Sequence, residues 1–156
     1  MPYVGFYEYF PEIAKRETHS ITILEKSDTG LPAGEYGFLE LYCNERKCDC
    51  RRVFFYVVTP SRTQPLAVIA YGWESKEFYE KWMRDDDPEI IKEIKGPVLN
   101  MGSPQSKFAP ALLDMVKEVL LKDSAYMERI KTHYRMFREK IDRKVPLKRR
   151  RGKIKK

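Results

Sequence analysis

All three cysteines of the chain fall within eight residues, in the stretch Cys43-Asn-Glu-Arg-Lys-Cys48-Asp-Cys50-Arg-Arg. Side chains two apart on an extended strand point to the same side, so Cys48 and Cys50 can address one centre. The four residues between Cys43 and Cys48 are enough for a hairpin turn that brings Cys43 back to them. Clustered thiolates of this kind suit tetrahedral zinc. A thiol must lose its proton to bind a metal, and Arg46, Lys47, Arg51 and Arg52 favour the thiolate.

The loop itself supplies three ligands. His133 is the favoured fourth, because helical spacing puts it on or beside an apolar stripe that faces inward. His19, just before a predicted strand, and Asp49 are the alternatives. A Cys-rich centre with no His-Glu-x-x-His or Pro-Cys-x-x-Cys pattern is read as structural, fastening the hairpin to the last helix. An open zinc or a reactive thiol in the same loop would instead serve an enzyme. Oxidation is the less expected fate: a Cys48–Cys50 disulfide would be strained, which leaves Cys43 with either partner.

A second chemistry lies at the C-terminus. Nine of the 30 Lys and Arg fall between Arg143 and Lys156 with no acid among them, leaving residues 1–142 with 21 cations against 23 anions. The overall charge of +7 therefore belongs to the tail. Lys148, Arg149, Arg150, Arg151, Lys153, Lys155 and Lys156 form a run suited to phosphate backbones, which such runs bind without reading sequence. Nucleic acid is the expected partner, and an acidic protein partner for an adaptor is the alternative.

The elements that must position these residues follow from periodicity. Ser20–Lys26, Glu35–Cys43, Arg51–Thr59 and Leu66–Trp73 read as strands, the third buried on both faces. Short links between the last three predict an antiparallel meander. Around Glu12–Glu17 a short helix or ordered arm is expected.

From Ser75 the period becomes helical. Ser75 and Asp87-Pro88 open two helices, and Phe108–Leu121 forms a third with a stripe of Leu112, Leu113, Val116, Val119 and Leu120. A fourth runs from Asp123 or Ser124 to about Asp142, with Tyr126, Ile130, His133/Tyr134, Phe137 and Ile141 on its inward face. Strands followed by helices predict an α+β domain over residues 1–143: a mainly antiparallel sheet of about four strands covered by C-terminal helices. Residues 144–156 are expected to be a disordered basic tail after Pro146.

No Gly-rich phosphate fingerprint or βαβ alternation appears. There is no run long enough for a membrane span, and the aromatic start MPYVGFYEYFPE does not resemble a secretory signal, so a cytoplasmic protein is expected.

Overall fold

The computed structural model describes residues 3–25 and 30–154, with side chains described as far as residue 143. The chain order is β1 (Tyr3–Gly5), α1 (Phe6–Tyr9), α2 (Pro11–Glu17), β2 (His19–Ile23), β3 (Gly34–Cys43), β4 (Arg52–Val58), β5 (Ala67–Gly72), α3 (Lys76–Met83), α4 (Pro88–Lys95), β6 (Val98–Leu99), α5 (Ala109–Met115) and α6 (Ser124–Ile154). This is the expected α+β class. The four predicted strands are present, and short β1 and β6 bring the sheet to six.

Every pairing is antiparallel. Strand β3 organises the sheet, with β4 along one edge and two short strands sharing the other. There β2 pairs Gly34–Phe38 and β1 pairs Leu41–Cys43. Helices α1 and α2 connect those two edge strands, with α1 packed on β3.

Alternation along β3 turns Tyr36, Phe38, Glu40 and Tyr42 into the core. Phe55, Val57 and Ile69 continue that face on β4 and β5. Helix α6 covers it with Tyr126, Ile130, His133, Tyr134, Phe137 and Ile141, all buried as their spacing predicts. Each large apolar side chain buried here stabilises the fold by roughly 1.5–3 kcal/mol. The opposite face carries a smaller apolar group of Phe54, Val68 and Ala70, flanked by Tyr3 and Leu41.

Helix caps follow the sequence. Ser75 Oγ accepts the Phe78 amide at 3.1 Å, Asp87 accepts that of Glu89 at 3.0 Å, and Asp123 accepts that of Tyr126 at 3.0 Å.

Two helical expectations change. The third predicted helix is α only as far as Met115, and Val116–Leu120 is a π-turn. The wider turn keeps Leu112, Val116 and Leu120 buried but leaves Val119 45% exposed. In α3 Tyr79 is fully buried, and its hydroxyl donates to the Arg51 carbonyl at 2.7 Å. The last helix carries its backbone past Pro146 to Ile154, whereas the sequence predicts a stop there. The side chains of the basic run lie outside the described residues, as do residues 155 and 156 entirely. Among the described residues, no helix is long and apolar enough to cross a membrane.

Candidate metal centre

Cys43 ends β3, and Cys50 precedes β4 by two residues, so the sheet holds two of the thiols at its end. The connecting turn is tight. Lys47 adopts φ 60°, and the Cys48 amide bonds the Glu45 carbonyl at 3.3 Å. Arg51, also left-handed at φ 51°, redirects the chain into β4. A non-glycine residue in that region costs of order 1–3 kcal/mol and persists only where its surroundings over-determine it. Here they do: the Arg51 amide donates to Tyr134 Oη at 3.0 Å, and the Arg51 carbonyl accepts from Tyr79 Oη and the Trp73 amide.

Helix α6 grips the same loop. Arg138 donates to the carbonyls of Cys48 and Glu45, both at 2.8 Å, and Asp142 accepts the Lys47 amide at 2.6 Å. The hairpin is thus fastened to the last helix, as expected, but by Tyr134, Arg138 and Asp142 rather than by a histidine.

The outcome is convergence of the three sulfurs, which all lie within 4.8 Å of one another. Cys43 and Cys50 are buried and Cys48 is partly exposed. The Glu45 amide donates to Cys43 Sγ at 3.5 Å, and the backbone amides of Cys50 and Arg52 favour the thiolates of Cys48 and Cys50. Amides aimed at sulfur stabilise the anionic form, the form a metal binds.

Among the thiols themselves the protons are unevenly shared. Hydrogen bonding from Cys43 pulls the Cys50 thiol down to about 6 against the opposing effect of burial, with Tyr3 and the Arg52 amide assisting. Cys43, as the donor in that pair and a buried group, is pushed far up. Burial raises Cys48. Three soft donors this close can hold one metal ion. For zinc, sulfurs at about 2.3 Å would stand about 3.8 Å apart, within the spread of the cluster.

The cations of the loop take different parts from those the sequence suggests. Arg51 is held by Asp49 at 2.9 Å through two nitrogens and by Glu74 at 3.3 Å. Arg52 is buried, donating Nε to the Ile94 carbonyl at 2.8 Å and Nη1 to Tyr3 Oη at 2.9 Å. Arg46 and Lys47 are exposed.

None of the three expected fourth ligands joins the sulfurs. His133 is buried, but both its ring nitrogens are already engaged: Nδ1 by Glu40 at 2.7 Å and Nε2 by Glu17 at 2.8 Å. Its assignment as a metal ligand is therefore corrected to the centre of a buried carboxylate–imidazole–carboxylate row. His19 pairs with Phe38, five residues up β3 from Cys43, or about 17 Å along a strand. Asp49 is committed to Arg51. Among the described residues no other His, Cys, Asp or Glu completes the set.

Glu40 was not foreseen as a functional group. The signal was present, since it shares the inward face of β3 with Phe38 and Tyr42. Tyr42 donates to it at 2.6 Å and Tyr126 at 2.9 Å, while His133 stacks on Phe6 with ring centroids 4.2 Å apart. Burial lowers the His133 pKa, but Glu40 and Glu17 outweigh it, and the net direction is up. Glu17 moves down, chiefly through its bond to His133.

Tyr3 was also passed over. Its Oη lies 3.6 Å from Cys50 Sγ, and burial, outweighing Arg52, drives its phenol far up.

No protein-family model matches the chain, and neither a curated protein nor a solved structure matches it, so its chemistry is read from its own residues.

Proposed function

We propose that this chain is a zinc-binding α+β domain without enzymatic activity, whose basic C-terminal run contacts nucleic acid. The observation that carries the metal half is the convergence of Cys43, Cys48 and Cys50, whose sulfurs all lie within 4.8 Å of one another. Zinc is preferred because it takes thiolates in tetrahedral sites and needs no redox partner. Held there, it would tie the end of β3 to the start of β4 at the point where α6 grips the loop, a structural task. Among the described residues no Asp or Glu carboxylate joins the three sulfurs in one cluster, where a general base would stand.

The nucleic-acid half rests on charge alone. Lys148, Arg149, Arg150, Arg151, Lys153, Lys155 and Lys156 concentrate positive charge beyond a body that is slightly acidic. Deleting residues 144–156 should remove most of the affinity for an arbitrary DNA duplex at low salt and flatten its salt dependence, with zinc content unchanged. Equal affinity in the full and truncated chains, measured by fluorescence anisotropy across a salt series, would take nucleic acid out of the function.

One observation favours a second reading. With three protein ligands of the His, Cys, Asp or Glu type, the fourth position is open to water or substrate, the hallmark of a catalytic zinc.

A further inference from the structure

We propose that Tyr3 supplies the fourth ligand, so that the centre is a closed set of three thiolates and one phenolate. This assignment rests on the zinc reading above and deepens it.

Register places the residue. Tyr3 is the cross-strand partner of Cys43, so the two side chains leave the sheet on the same face. The ring is fixed there by stacking on Phe54, with centroids 4.2 Å apart. Tyr3 Oη then stands 3.6 Å from Cys50 Sγ. In a zinc tetrahedron with Zn–O about 2.0 Å and Zn–S about 2.3 Å, oxygen and sulfur are separated by about 3.5 Å. The observed spacing is that edge, already formed.

Arg52 gives an independent reason. The residue is 7% exposed, and its guanidinium makes no ion pair with a carboxylate among the described residues. A buried cation without a counter-ion is costly. Its side-chain partner is Tyr3 Oη, at 2.9 Å. The cation thus points at a neutral phenol, an arrangement that becomes favourable once the oxygen is an anion. A bound dication provides the condition for that, since it inverts the local preference and ionises its ligands. In the binding step the Tyr3 O–H bond and the S–H bonds of the protonated thiols break, the Zn–O and Zn–S bonds form, and the protons leave to bulk water. The resulting charge of −2, from three thiolates, one phenolate and Zn²⁺, is offset in part by the Arg52 guanidinium.

The test is a zinc titration of the reduced full-length chain, followed in the near ultraviolet for the red-shifted absorption of tyrosinate. Wild type should gain one tyrosinate per zinc. Tyr3→Phe should gain none from any of the nine remaining tyrosines and should bind zinc at least about 10-fold more weakly against a competing chelator. Zinc saturation of the wild type with no tyrosinate signal would overturn the assignment and leave Tyr3 as a hydrogen-bond donor to Cys50, with water as fourth ligand. That outcome spares the zinc reading. A wild-type chain that takes up no zinc would overturn both. The wild-type titration decides the point even if the Phe variant does not fold.

Discussion

Substituting His133 by alanine should cost about 3–5 kcal/mol of folding stability, the range for breaking a buried charged pair. In a domain of this size that is roughly 10 °C or more in Tm. The imidazole lies between Glu40, whose side chain is 4% exposed, and Glu17, 39% exposed. Without it, Glu40 keeps only the hydroxyls of Tyr42 and Tyr126 in an otherwise apolar core. The large term is the buried charge left behind, so replacing Glu40 and His133 together by leucine should cost clearly less than the two single changes added.

The same row makes stability depend on pH in a defined direction. The His133 pKa is raised above its ordinary 6.5 in the folded chain. Its contribution is therefore full below 6.5 and lost as pH rises through the raised value. The Glu17 pKa is lowered, so its smaller, solvent-screened contribution is present above its ordinary 4.5 and lost as pH falls through the depressed value. Thermal melts from weakly acidic to alkaline pH should show wild type losing its advantage over His133→Gln on the alkaline side. A constant difference between the two would contradict a protonated His133.

Stripping the metal should have the second large effect. A ligand bound to the folded state alone stabilises it by about 4 kcal/mol at a free concentration 1,000-fold above Kd. Reduced protein in excess zinc should therefore melt well above the same protein in a strong chelator. Cys50→Ser should abolish most of that increment, because Cys50 Sγ lies 3.6 Å from Tyr3 Oη and its thiol is pulled down toward the thiolate by its neighbours. Without zinc, wild type and Cys50→Ser should melt within a few degrees of each other. Equal melting in zinc and in chelator would mean that the thiols do not hold a metal that matters to the fold.

Much of this was legible from local pattern. Period-two alternation located β3, and the three- and four-residue spacing of Tyr126, Ile130, Tyr134 and Phe137 located the buried face of α6. The thiols were legible as a cluster because a hairpin needs only the residues between Cys43 and Cys48.

What failed depended on long-range placement. His133 was correctly expected to point inward, but inward at its height on α6 means Glu40, three residues short of Cys43 on β3. Which buried partner a helix residue meets is set by how far the helix slides along the sheet, and no single-chain period encodes that. Tyr3 escaped notice because β1 has three residues, too few to show alternation, and its pairing with Cys43 spans forty positions. Glu40 was visible as an acid on an apolar face. Its partners, Tyr126 and His133, come from a helix more than eighty residues away.

On the reading proposed above, Cys43, Cys48 and Cys50 together hold one zinc ion. Elemental analysis of the full-length chain, purified under reducing conditions without chelator and gel-filtered to remove loose metal, tests it most directly. One zinc per chain is the expected result, falling to near zero in Cys43→Ser/Cys50→Ser. Wild-type protein that carries no stoichiometric metal, and retains none after incubation with zinc and a second filtration, would contradict it.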